Sequence, residues 1–144
     1  MAERNVKAMG AFRTDVARSY TAKPEQVFDA WVDPASVKAW LAEGEKAIVD
    51  PREDGLFYLE MPYEGRKYPH YGRYLRVERP SLLEFTWVSE GTRGKESVVT
   101  IELVARGGKT ELTLKHEGLP DQEMVDSHNG GWSQILAGLT KRLG

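Results

Sequence analysis

The sequence lacks cysteine altogether and contains only three histidines among its 144 residues. Without cysteine the chain cannot form a disulfide, a thiolate metal site or a cysteine nucleophile. No apolar run approaches the roughly 18 residues of a membrane span, and the N-terminus has no signal-peptide pattern. The 20 basic and 22 acidic residues are interspersed, so there is no basic footprint for nucleic acid. We therefore expect a cytoplasmic protein that neither inserts into a membrane nor binds nucleic acid.

The composition is that of an ordinary folded protein, with 40% hydrophobic and 29% charged residues. A chain of this length is large enough to bury a core, and it contains no internal repeat or linker. We therefore expect one domain over residues 1–144. Residues 1–10 lack any periodicity, which predicts a poorly ordered lead-in.

The longest helical pattern lies at the C-terminal end, over residues 120–143. Gly130 and Gly131 interrupt it, and each glycine costs about 1 kcal/mol relative to alanine in a helix interior. Their presence predicts that something packs close to the helix backbone there. A stripe of residues recurs at spacings of three and four, which places it on one face: Met124, His128, Trp132, Ile135, Leu136, Leu139 and Leu143.

The rest of the chain is predicted to be a strand, two short helices and six further strands. Pro24 suits the first turn of one helix, and Asp33-Pro34 is a cap followed by proline that opens another. A charged loop is expected over residues 62–70, either simply solvated or acting as a lid or a protein contact. Residue alternation and turn composition predict the strands: 12–21, 47–50, 56–61, 71–78, 82–89, 97–105 and 110–117.

The last three predicted strands carry an apolar face and a polar face. The short connections between them predict an antiparallel meander whose apolar face packs on the long helix. The fold class is therefore α+β: a curved antiparallel sheet of six to seven strands wrapped around the C-terminal helix. Such a sheet leaves a cavity between helix and sheet as the expected binding site. The expected inward residues are Leu83, Phe85, Trp87, Val99, Ile101, Leu103, Leu112, Leu114 and His116.

Several segments resemble a known family, the START-like (SRPBCC, helix-grip) proteins. They are AKPEQVFDAW at 22–31, DP at 33–34, YGRYLRV at 71–77, LEFTW at 83–87, TELTLKH at 110–116 and HNGGW at 128–132. Within this family the sequence resembles the branch homologous to the activator of the 90-kDa heat-shock-protein ATPase. The resemblance spans roughly residues 12–143 and implies a helix-grip fold with a ligand cavity. One departure is Asp54-Gly55, which stands where the family has a glycine pair.

Twelve residues are predicted to line the ligand cavity. The tyrosines would add hydroxyl groups, and Arg73 would meet an acidic group of the ligand. A one-residue slip of strand register would turn Tyr58, Tyr71 and Tyr74 outward. The full set is Trp40, Tyr58, Tyr71, Arg73, Phe85, Trp87, Ile101, Leu114, His116, Met124, His128 and Trp132.

His116 and His128 are the candidate catalytic groups, since a histidine in the cavity can act as general acid or base. The alternative is that both rings are hydrogen-bonded wall residues. Together with His70 they lack the spacing of a zinc site, so no metal or other cofactor is expected. Asp126, Ser127 and His128 are consecutive in a predicted helix and point about 100° apart, which excludes a catalytic triad.

Three functions stay open at this point. The first is non-catalytic binding of a small apolar or amphipathic molecule, because no nucleophile and base converge. The second is a cyclase or hydrolase-like enzyme that uses His116 or His128. The third is an interaction protein associated with a chaperone, as the resemblance implies. The chain itself is expected to be a monomer or a homodimer.

Overall fold

The computed structural model describes residues 12–143. It contains a long C-terminal helix and, after the first strand, a short helix and a three-residue helix that continues as a π-turn. The helices are α1 (Pro24–Val32), α2 (Pro34–Ser36, continued by a π-turn over Val37–Leu41) and α3 (Gln122–Leu143). The strands are β1 (Arg13–Tyr20), β2 (Ala47–Val49), β3 (Leu56–Tyr63), β4 (Arg66–Glu78), β5 (Leu82–Trp87), β6 (Ser97–Arg106) and β7 (Lys109–Glu117).

All seven strands form one antiparallel, curved sheet in the order β1-β7-β6-β5-β4-β3-β2. Strands β2 to β7 are neighbours in sequence order, as short hairpin connections require, while β1 closes the other edge against β7. Helix α3 lies on the concave side. This is the helix-grip fold, and the predicted fold class is confirmed.

Local sequence signals account for the start of each helix. Pro24 occupies the first turn of α1, where its missing N–H is not needed. The Asp33 carboxylate accepts a hydrogen bond from the backbone N–H of Ser36 at 3.0 Å and so caps α2. At α3 the Asp121 carboxylate accepts from the N–H of Met124 at 2.9 Å. No helix in the described part of the chain is long and apolar enough to cross a membrane.

The core lies between the concave face of the sheet and the helices. All nine residues expected on the inward face of β5, β6 and β7 are buried. From α3, Trp132, Leu136 and Leu139 fill the space above them, each at most 2% exposed. The hydroxyl of Tyr20 on β1 donates to the Leu136 carbonyl at 2.9 Å, which ties the sheet edge to the helix.

The expected charged loop at 62–70 is wrong, because β3 and β4 continue through it as a long hairpin. Only Glu64 and Gly65 form the turn, both with positive φ (48° and 79°). This end of the hairpin projects beyond β2 and β5, which pair only with the other end. Each strand therefore has an unpaired edge there, where Pro62 and Pro69 are tolerated without a lost ladder hydrogen bond.

The expectation of close packing at the glycine pair of α3 is also wrong. A Cβ atom added to Gly130 or Gly131 would meet nothing within 4 Å. The helix stripe instead packs through the large residues that follow, beginning at Trp132. The expected lead-in over residues 1–10 lies outside the described residues.

Candidate functional site

The concave side of the sheet retains one small cavity of about 20 Å³. It lies beneath α1 and α2 rather than beneath the middle of α3, where Trp132, Leu136 and Leu139 fill the space. Of the twelve residues predicted for the site, only Phe85 and Trp87 line it. The complete lining is apolar or aromatic: Trp31, Val37, Leu41, Val49, Phe57, Leu59, Tyr74, Phe85 and Trp87.

Two hydrogen-bond donors beside this cavity have no partner. Trp31 and Trp87 are 4% and 3% exposed, and within residues 12–143 neither indole N–H has an acceptor. Buried polar groups are normally hydrogen-bonded, so each such exception calls for an explanation. A cavity of about 20 Å³ has room for one water molecule or for a single atom of a ligand.

An aromatic chain connects the cavity to the long helix. The ring of Trp132 lies 5.0 Å from that of Trp87 and 6.3 Å from that of Trp31, between ring centroids. Trp40 packs edge-on against Trp31 at 4.9 Å, and its own indole N–H donates to the Ala30 carbonyl at 2.8 Å. Trp40 therefore supports the cavity wall from behind and does not line the cavity as predicted.

His116 is fully buried and uses both ring nitrogens. The indole N–H of Trp132, which can only donate, bonds Nδ1 at 2.9 Å. Nδ1 is therefore unprotonated, and Nε2–H donates to the Ser97 hydroxyl at 2.7 Å. That hydroxyl donates in turn to the Trp87 carbonyl at 2.6 Å. Burial lowers the pKa of His116 well below its usual value, so the ring is held neutral in one tautomer.

The other two histidines converge on the same end of the molecule. The ring of His128 stands edge-on to His116 at 4.9 Å, and its Nδ1–H donates to the Met124 carbonyl at 2.7 Å. His70 on β4 stacks at 4.8 Å from Trp87 and donates from Nδ1 to the Tyr68 carbonyl. Burial lowers the pKa of His128 and lowers that of His70 to about 4. Within residues 12–143, no acidic residues join them to form a group able to hold a metal ion.

Tyr58, Tyr71 and Arg73 lie on the convex side of the sheet, so the expectation that they face the cavity is wrong. The register pairs Phe57 with Gly72 and Tyr58 with Tyr71. Because Phe57 points into the core, its neighbour Tyr58 and the paired Tyr71 point outward. Arg73 follows two residues after Tyr71 and shares its face.

The convex side carries a groove of about 420 Å³. It runs across β2, β3, β4 and β5, and its border combines the predicted residues Tyr58, Tyr71 and Arg73 with residues that sequence reasoning did not select. Its lining is Ile48, Leu56, Phe57, Tyr58, Tyr71, Gly72, Arg73, Thr86, Val88 and Glu96.

The remaining predicted residues contact other parts of the protein and do not line the cavity. Ile101 and Leu114 are buried in the core at 1% and 0% exposure, and Met124 contributes its carbonyl to His128. Ser97 was missed as the partner of His116, although the alternation of β6 (97, 99, 101, 103) places it on the inward face. Trp31 was missed as a cavity residue because helical periodicity alone does not separate core from cavity wall.

Comparison with known proteins identifies the family. The sequence pattern described as Activator of Hsp90 ATPase homolog 1-like protein matches residues 21–144. The chain belongs to this family. No curated protein matches the chain.

Solved structures share the fold of this chain. Protein CV1439 from Chromobacterium violaceum is 28% identical with a TM-score of 0.78, over 91% of this chain and 96% of that one. CalU16 from Micromonospora echinospora is 28% identical with a TM-score of 0.71, over 92% and 76%. PFC0360w, described as an HSP90 activator from Plasmodium falciparum, is 23% identical with a TM-score of 0.78, over 93% and 97%.

Three of the segments behind the family resemblance meet on the concave side. HNGGW places His128 and Trp132 on α3, TELTLKH ends at His116, and LEFTW ends at Trp87. His116 is in ring contact with the other three, and Trp87 also contacts Trp132. These residues therefore build one aromatic and histidine cluster next to the cavity.

Proposed function

We propose that the protein binds a small apolar or amphipathic molecule on the concave side of the sheet, in the cavity beneath α1 and α2, without catalysing a reaction. The observation that carries the proposal is the pair of buried indole N–H groups of Trp31 and Trp87, which have no acceptor among the described residues. An unpaired buried donor costs about 1–3 kcal/mol. A ligand oxygen that reaches either indole removes that cost, while the apolar walls accept the rest of the molecule.

Ligand binding here requires the cavity to expand. Ligand pockets usually measure about 300–1,000 Å³, and this cavity measures about 20 Å³. Its sheet wall is held by antiparallel ladders, whereas the opposite wall comes from the π-turn of α2 through Val37 and Leu41. π-turns often occur at functional sites. We therefore place the opening movement in residues 34–41.

The non-catalytic assignment rests on the hydrogen bonds of His116. A general base needs a nitrogen that is free to take a proton, and Nδ1 of His116 is occupied by the Trp132 indole. The cyclase or hydrolase-like alternative is left with His128, whose Nε2 has no hydrogen-bond partner within residues 12–143. A single such group supports binding better than turnover.

Association with a 90-kDa heat-shock chaperone is a second candidate. Its support is the family description and the Plasmodium falciparum relative that is described as an HSP90 activator. A pull-down with the purified chaperone tests it, and recovery of no chaperone above a bead control excludes it.

The ligand proposal is tested by native mass spectrometry of the purified protein, followed by affinity measurements. Trp31 and Trp87 are each replaced by benzothienylalanine, which keeps the shape of the ring but lacks the N–H. Each replacement should weaken binding of the copurified molecule, or of a series of aliphatic and aromatic ketones, about three- to tenfold.

Trp40 carrying the same replacement is the control, because its N–H bonds the Ala30 carbonyl outside the cavity. A protein that purifies empty and whose fluorescence does not respond to the ketones contradicts the proposal.

A further inference from the structure

We propose a second binding site, for a small amphipathic carboxylate, in the groove on the convex side of the sheet. This site is separated from the concave cavity by the sheet itself. It does not depend on the function proposed above.

Strand register builds the groove from residues that are distant in sequence. Ile48 pairs with Tyr58, Tyr58 pairs with Tyr71, and Tyr71 pairs with Val88. Directly paired residues of antiparallel strands point to the same face. One continuous row of apolar and aromatic side chains therefore crosses β2, β3 and β4 on the convex side and ends at Val88, the residue after β5.

The apolar character of this row is not explained by packing. Ile48, Leu56 and Tyr71 are 61%, 66% and 50% exposed. A solvated sheet face is normally polar, and the convex face of β6 and β7 follows that rule with residues such as Glu102 and Lys115. The groove measures about 420 Å³, within the usual range of about 300–1,000 Å³ for small-molecule pockets. A groove of this size fits one small molecule rather than the surface of a macromolecule.

One cation in the groove specifies the charge of the ligand. The Arg73 backbone is fixed by a hydrogen bond from its N–H to the Thr86 hydroxyl at 2.9 Å. Its guanidinium reaches Glu96 only at 3.4 and 3.5 Å, whereas strong guanidinium–carboxylate bonds measure about 2.7–2.9 Å. The Glu96 side chain is 41% exposed and can turn to solvent. A carboxylate lying in the groove can therefore replace Glu96 at Arg73, with its apolar part along the row.

The test compares octanoate with neutral octanamide, using calorimetry and backbone NMR of the full chain. We expect octanoate to bind and to shift the signals of Ile48, Tyr71 and Val88. Arg73→Gln should weaken octanoate binding at least tenfold and leave octanamide binding unchanged. Glu96→Gln should tighten octanoate binding about threefold, because the competing carboxylate is gone.

Arg106→Gln is the matched control. Arg106 is an exposed arginine at the end of β6, outside the groove, and its side chain forms an ion pair with Glu111. Absence of octanoate binding, or equal weakening by Arg73→Gln and Arg106→Gln, overturns the proposal. Octanoate shifts confined to Trp31 and Trp87 also overturn it, but they leave the concave site standing. Failure of the ketone experiment, in contrast, leaves the convex site unaffected.

Discussion

Side chains fill the concave side of the sheet except for a cavity of about 20 Å³, whereas the convex side of the sheet carries an open groove of about 420 Å³. The concave side is covered by helices that supply Trp31 and Trp132. The convex side has no covering element in the described part of the chain, and its apolar residues stay exposed. The interior thus contributes stability and two unpaired donors, while the outer groove contributes open volume and one cation.

The comparison shows that hydrophobic character alone does not locate a binding site. Apolar residues on the concave side pack against each other. The informative features there are the indole N–H groups of Trp31 and Trp87, which have no acceptor among the described residues. On the convex side the informative feature is the opposite one, apolar residues that no described part of the chain covers. The two sides should therefore respond differently to substitution.

The largest expected difference comes from a matched pair of leucines. Leu136→Ala on α3 removes a side chain that is 1% exposed and should lower the free energy of unfolding by about 2–5 kcal/mol. Leu56→Ala in the convex groove, where the residue is 66% exposed, should change it by less than about 0.5 kcal/mol. Urea unfolding measures both. Similar losses at the two positions would mean that the groove is packed in solution.

A smaller effect is expected for the buried polar chain. His116→Phe keeps an aromatic ring but leaves the Trp132 indole N–H without its acceptor, which should cost about 1–3 kcal/mol. Thr100→Val is the convex counterpart and removes the bond from the Thr100 hydroxyl to Glu84 at 2.9 Å. We expect a loss of less than about 1 kcal/mol there, because the partly exposed carboxylate can bond water instead. Thermal unfolding monitored by near-UV dichroism reports both changes.

The last expected effect is the pH dependence of the concave side. Burial lowers the pKa of His116 in the folded protein, so below pH 6.5 the unfolded chain binds more protons than the folded one. Stability is therefore complete above pH 6.5 and declines as the pH falls, by about 1.4 kcal/mol at pH 5.5 for a histidine that stays neutral. Urea midpoints between pH 7.5 and 5 measure this decline. His116→Phe should make it shallower, and an unchanged slope would show that His116 does not stay neutral.

The overall fold was predictable because it depends on two backbone periods. Spacings of three and four placed Trp132, Leu136 and Leu139 on one face of α3, and alternation placed Leu114 and His116 on the inward face of β7. Both patterns survive in the structure, since the side chains of a helix or a strand cannot change face without changing the backbone. The hairpin at 62–70 was not predicted, because prolines normally interrupt strands. Pro62 and Pro69 are tolerated there since the tertiary arrangement leaves the outer edges of β3 and β4 unpaired at that end.

The sequence by itself determined the elements and most of the core, whereas the tertiary structure decided what the faces of those elements meet. Tyr58, Tyr71 and Arg73 lie on the convex side because pairing register, which a shift of one residue reverses, sets the face of a strand. His70, His116 and His128 converge from β4, β7 and α3, and no local pattern encodes that distance. The volume that remains on each side depends on how whole side chains interlock across elements, which is a property of the assembled fold alone.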